Sequence, residues 1–176
     1  MPGEPTTITV VCGPFKISYA SASGAKKFIK TEHIENFWAQ ESCKNFADKQ
    51  GCYIFALKFG KRIRPWYIGS TGRSLKDECF NDANIKRYNE FLQKGKFGSP
   101  ILFFVVRKDN RKISPPILKD MEKYLIHASL YVNPELLNVH HRGNLPKWGI
   151  ENVIRIKKQG QNPASVDAFR KMLSLN

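Results

Sequence analysis

The sequence is short of acidic residues, lacks any close cysteine pair and has no long apolar run. Asp and Glu number 15 against 29 Lys and Arg, a formal net charge of +14. Such an imbalance makes a folded chain repel itself, so the excess is expected to act against a polyanion. Nucleic acid is the first expectation, because neutralising phosphates releases counterions and drives association. An anionic membrane surface competes less well: there is no long basic amphipathic helix and no lipidation motif. The cysteines, Cys12, Cys43, Cys52 and Cys79, form no C-x-x-C pair and no Cys/His ligand spacing, which argues against a zinc site. His127, His140 and His141 match no H-E-x-x-H pattern. No stretch reaches the ~20 apolar residues of a membrane span. The first residues lack the basic-then-apolar order of a signal peptide. Together these absences lead to the expectation of a cytoplasmic protein with cysteines as small core residues, no membrane partner and no small-molecule cofactor.

What is present is enough to build a core. Apolar residues make up 41% of the 176, with 12 phenylalanines, which fits one ordinary domain with short extensions. Thr7 to Val11 reads as a strand broken by Gly13-Pro14. Glu35 to Lys49 has helical periodicity, with Phe37, Trp38, Cys43, Phe46 and Ala47 roughly on one side. Gly51 to Phe59 is apolar on both faces, as a buried strand is. Gly60-Lys61-Arg62 turns it into a second strand ending Tyr67-Ile68-Gly69. Ser74 is a candidate helix N-cap. A helical region follows to Gln93, with a break expected near Asn81 to Asn84. Ile101 to Val106 is a third strand. A long helix then starts at Pro115-Pro116, with Ile117, Met121, Tyr124 and Ala128 as its apolar stripe, Leu118 and Leu125 beside it and Glu122 on the border. Val153 to Lys157 and Ser165 to Leu173 read as a further strand and a short helix.

Gly51-Cys52-Tyr53, then thirteen residues, then Tyr67-Ile68-Gly69 resembles the paired motif of the GIY-YIG nuclease superfamily. Cys52 stands for the usual isoleucine, and the spacer is slightly long. Singly, a strand tyrosine or a helix glutamate is commonplace. The order of elements carries the resemblance: two motif strands, a helical segment, a third strand, a helix bearing Glu122, then Asn138. It covers roughly Gly51 to Asn138, about half the chain.

The resemblance implies an α+β fold: a small, mainly antiparallel, three-stranded central sheet flanked by helices, to which the flanks could add one further strand or hairpin. The core would span 50–140. An N-terminal extension, 1–49, contributes a strand and a helix, and a C-terminal one, 141–176, completes the chain. It implies a metal-dependent endonuclease acting on DNA (RNA not excluded), with Glu122 holding a single Mg²⁺ or Mn²⁺. Tyr53 and Tyr67 would help place or deprotonate the attacking water, and Gly69 would let backbone and substrate approach closely. Asn138 matches an asparagine common at that point. One position departs. The family usually carries an arginine on the helix after the second motif, where Glu78 stands here. Arg73, in the loop after the motif, and Arg87, which a helix break could fold back into the site, are the candidate replacements, with Arg87 preferred. If neither reaches the phosphate, the expectation becomes a nucleic-acid-binding module with weak or no catalysis. Lys26-Lys27, Lys61-Arg62-Arg64, Lys157-Lys158 and His140-His141-Arg142 are candidate backbone contacts.

Overall fold

Nine residues from Gly51 to Phe59, buried at nearly every position but the last two, form the strand on which the sheet is assembled. The computed structural model describes residues 9–23, 26–95, 97–109 and 111–140, with short pieces at 150–151, 155–156 and 164–165. Two compact units are distinguished, Met1–His141 and Arg142–Asn176. The first begins with β1 (Thr9–Lys16), β2 (Ala20–Ser21), β3 (Lys27–Phe28), α1 (Thr31–Ala39) and α2 (Glu41–Lys44). It continues with β4 (Gly51–Phe59), β5 (Arg62–Thr71), α3 (Leu75–Cys79), α4 (Asp82–Leu92), β6 (Ser99–Arg107) and α5 (Pro115–Val132). In the second unit β7 (Ile150–Glu151) and β8 (Arg155–Ile156) pair in parallel. The remainder of the segments expected at 153–157 and 165–173 lies outside the described residues.

The fold is α+β, and its main sheet has four strands in the order β1-β6-β4-β5, every pair antiparallel. The expected three-stranded sheet is therefore one strand short. The fourth strand comes from the N-terminal segment, which pairs Thr9 to Lys16 along β6 and so covers an edge that would otherwise present unpaired amides. Gly13-Pro14 does not break this strand as expected. The register shifts between Cys12 and Phe15, and Gly13 takes a positive φ of 117°, so the pair is absorbed as a bulge. A Cβ on Gly13 would stand 2.9 Å from the Leu102 carbonyl oxygen, so position and conformation both require glycine.

Strand alternation sends side chains to two different layers. On one face, Tyr53, Phe55, Leu57, Leu102 and Phe104 join residues of α1, α3 and α4 in a single cluster. Phe104 lies among Phe15, Phe37, Trp38 and Phe46, ring centroids 5.1–6.3 Å away. Each such buried ring contributes roughly 1.5–3 kcal/mol through area alone. On the other face α5 packs through two smaller, aliphatic clusters around Cys52, Val105, Leu118 and around Ile68, Ile126, Leu130.

The apolar stripe of α5 is rotated from the one expected. Leu118, Ile126, Ser129 and Leu130 are buried, whereas Tyr124 is 73% exposed and Ala128 is exposed. Glu122 thus falls four residues after Leu118 and four before Ile126, within the sheet-facing stripe and not on its border. The helical region after β5 breaks where expected. Ser74 caps α3 by accepting from the Asp77 amide at 3.2 Å, and Asn81 caps α4 by accepting from the Asn84 amide at 2.9 Å.

Candidate active site

Strand β5 presents the motif residues alternately to the two layers. Tyr67 and Gly69 face α4; Ile68 and Ser70 face α5. Tyr53 pairs with Gly69 across the ladder, and its ring lies over the glycine. A Cβ at Gly69 would meet Tyr53 Cζ and its hydroxyl oxygen at 2.3 Å. The room that Gly69 leaves is filled by Tyr53.

The break between α3 and α4 turns two polar side chains, Asn84 and Arg87, onto the two tyrosines. Asn84, buried, donates through Nδ2 to the Tyr53 hydroxyl and to the Glu78 carbonyl, both at 2.8 Å. Arg87 Nη1 donates to Asn84 Oδ1 at 2.6 Å, and its guanidinium stacks on Tyr67, 4.5 Å from the ring centroid. The Tyr53 and Tyr67 rings are 6.2 Å apart. Of the two candidate arginines, Arg87 is the one brought to the tyrosines. Arg73 is exposed after β5, its backbone amide donating to Thr71 Oγ1, and it lines a cavity that the tyrosines do not.

Burial decides how the two phenols behave. Tyr53 is 1% exposed. Desolvation, then the neighbouring Tyr67, Cys79 and Glu78, raise its pKa against the lowering contact from Asn84. It stays protonated at neutral pH. Tyr67 is only partly buried. Desolvation raises it, Arg87 opposes that, Glu122 and Glu78 add to it, and a hydrogen bond from Tyr53 lowers it. Tyr67 is therefore the residue that senses charges from both layers. Glu78 has its carboxylate near the pair, with Oε1 accepting from Asn81 Nδ2 at 3.2 Å.

Glu122 approaches from α5. Ser70 Oγ donates to its Oε2 at 2.9 Å. Both line an open cleft of about 710 Å³ with Gln50, Lys112, Ser114 and Lys119. Asn138 has a different job. Its Oδ1 accepts from the Ile68 amide at 2.9 Å and its Nδ2 donates to the Ile68 carbonyl at 2.7 Å. The side chain stands in for a neighbouring strand along the β5 edge, next to the Leu137 amide on the Trp66 carbonyl at 2.7 Å. Asn89 makes the same bidentate clamp on Ile29.

The residues that sequence reasoning missed are Ser70 and Asn84. Ser70 carried a usable signal: it follows Gly69 and so must face the opposite layer. Asn84 carried none, since only the fold brings it to Tyr53. Of the candidate backbone contacts, Lys157-Lys158 and His141-Arg142 lie outside the described residues.

Among the described residues no group of three or more His, Cys, Asp or Glu comes together, and no helix is long and apolar enough to cross a membrane. Comparison with family models, curated proteins and solved structures returned no match.

Proposed function

We propose that this chain is a metal-dependent endonuclease of the GIY-YIG type, acting on DNA or on RNA of equivalent backbone chemistry. The observation that carries the reading is Ser70 holding Glu122 one residue past Tyr67-Ile68-Gly69, on the strand whose Tyr67 carries the Arg87 guanidinium. A cytoplasmic location belongs to the same reading and is consistent with four free cysteines.

The donor chemistry suits a hard cation. Glu122 supplies one carboxylate, and Ser70, hydrogen-bonded to it, supplies a neutral oxygen in the same cleft. One carboxylate suits Mg²⁺, which keeps most of its waters, or Mn²⁺. Bound there, the ion supplies Lewis acidity and a more acidic water. The chain's own residues do the rest. Arg87 lies over the Tyr67 ring and is fixed by Asn84, which leaves its remaining N–H groups for phosphate oxygens as negative charge develops. Tyr67, a neutral phenol, orients the attacking water by hydrogen bonding. Tyr53 touches no substrate; it positions Tyr67. Gly69 makes room for Tyr53, and Asn138 pins the strand.

A second reading is a nucleic-acid-binding module without catalysis. Glu78 favours it, because its negative charge beside the tyrosines repels a phosphate. Plasmid nicking with Mg²⁺ or Mn²⁺ separates the two. The wild type is expected to nick, and Glu122→Gln to lose activity by roughly 1,000-fold with an unchanged melting curve. Salt-sensitive DNA binding with no cleavage in either metal sinks the enzyme reading.

A further inference from the structure

A second cavity, of about 530 Å³, adjoins the Glu122 cleft. Gln50, Gly72 and Lys112 line both. Its cations are Lys49, Arg73, Arg107, Arg111 and Lys112, against the acids Asp48 and Asp109. A concave wall with that excess concentrates anions and disfavours cations.

The wall is built and not merely crowded. Gln50 Nε2 donates to the Gly72 carbonyl at 2.5 Å, and its Oε1 accepts from the Ile113 amide at 3.1 Å. One side chain therefore fastens the loop carrying Arg73 to the segment leading into α5. Asp109 pairs with Arg107 and, at 2.8 Å, with Arg111, and Arg107 Nη1 donates to the Lys112 carbonyl at 3.0 Å. Asp109 thus spends its charge organising two of the cations. Arg73 and Lys112 are exposed, and among the described residues neither is paired with a carboxylate. They are the two cations left to an incoming ligand.

We propose that this cavity is a phosphate-anchoring site that holds a backbone phosphate of the nucleic acid beside the scissile bond, through Arg73 and Lys112. The inference rests on the nuclease reading of the Glu122 cleft. The shared wall is what selects a polymer: a strand whose one phosphate lies at Glu122 has Lys112 next to it and Arg73 beyond. A free phosphate compound offers the same chemistry without needing the two cavities to be joined.

Binding of a fluorescent 20-base-pair duplex to the full chain, in EDTA so that nothing is cut, tests this across 50–300 mM NaCl. Arg73→Ala/Lys112→Ala is expected to weaken binding at least ten-fold at 150 mM. It should also flatten the slope of log K against log salt by about 1–2. Arg73→Lys/Lys112→Arg should restore both. Two results overturn the site while leaving a nuclease intact: a double variant that binds with wild-type affinity and slope, or an equal loss from Lys30→Ala/Lys94→Ala, two exposed lysines that line neither cavity. Inorganic pyrophosphate is the third arm. Calorimetric binding abolished by Arg73→Ala/Lys112→Ala, with duplex binding unchanged, assigns the pocket to a free phosphate compound and overturns the polymer. A wild type that nicks no plasmid while the double variant still loses duplex binding separates the two claims in the other direction.

Discussion

The two faces of the sheet are built on different terms. On the side of α1, α3 and α4 the packing is aromatic and closed: Tyr88 stacks on Phe55 at 4.1 Å with the rings 9° from parallel, and Tyr53, Asn84 and Arg87 are bonded in series. On the side of α5 the packing is thinner and aliphatic, and Glu122 sits inside the stripe with a serine as its partner. One face fixes geometry; the other keeps a charge available in an open cleft. Strand β5 joins them, because consecutive residues from Tyr67 to Ser70 point alternately to each. The metal-assisted hydrolysis proposed above would need both kinds of surface. Its positive and hydrogen-bonding groups must be held still, whereas its metal ligand must remain open to water.

The largest effect expected from breaking that arrangement without touching Glu122 comes from Gly69→Ala. The new methyl would overlap Tyr53, whose ring is boxed in by the closed face, so overpacking should cost roughly 2–3 kcal/mol. That corresponds to a fall in Tm of about 5–10 °C. Gly72→Ala serves as the control: its Cβ meets nothing nearer than Leu118 at 3.9 Å, and its Tm should stay within a degree or two of the wild type. Equal melting temperatures for the two variants would mean that Tyr53 does not lie over Gly69.

The same contrast explains what could be read from the sequence. The hairpin, the third strand, the break before α4 and the Ser74 cap were legible, because they depend on local apolar runs and capping residues. The fourth strand was half-legible. Thr9, Val10 and Val11 have strand propensity, but only the pairing partner on β6 shows why Gly13-Pro14 continues the strand. The stripe of α5 was misread because Tyr124 counts as apolar in a periodicity yet carries its hydroxyl into solvent. Arg87 could be nominated from the break, and its stacking on Tyr67 needs the fold. Asn138 was matched by position, but its clamp on Ile68 joins residues 70 apart, a distance no local pattern spans.

A middle-sized effect probes the α5 face through Cys52. Burial, and then the charge of Glu122, push its thiol up to about 12 from an ordinary 9.0. Between those values the unfolded chain has released the proton and the folded chain still holds it. The folded state therefore binds more protons, and stability falls as pH rises through this window. Cys12, Cys43, Cys79, Tyr53, Tyr67 and Tyr88 are raised too, all first by burial, so the whole chain should weaken above about pH 9. Urea midpoints at pH 8 and pH 10.5 should differ clearly in the wild type. Cys52→Ala, which costs about 1 kcal/mol at pH 8 through lost packing, should narrow the difference. An undiminished fall in that variant would show that Cys52 keeps no raised pKa.

The smallest effect belongs to Tyr53→Phe, and it separates a positioning residue from a catalytic one. The change leaves the ring over Gly69 and removes only the hydroxyl. Asn84 keeps its bonds to the Glu78 carbonyl and Arg87, so the stability loss should be about 1 kcal/mol. Tyr67, however, loses a hydrogen bond that lowers its pKa. Its phenol should then ionise at still higher pH, and any alkaline limb of the nicking rate that reports Tyr67 should move upward. The rate at pH 7 should fall only modestly, about ten-fold, since general acid–base groups that act directly are worth roughly 100-fold or more. A variant that loses activity as completely as Glu122→Gln, with an unshifted pH profile, would make Tyr53 a participant in the chemistry and erase the distinction between this buried phenol and the groups proposed to meet substrate, Tyr67, Arg87 and Glu122.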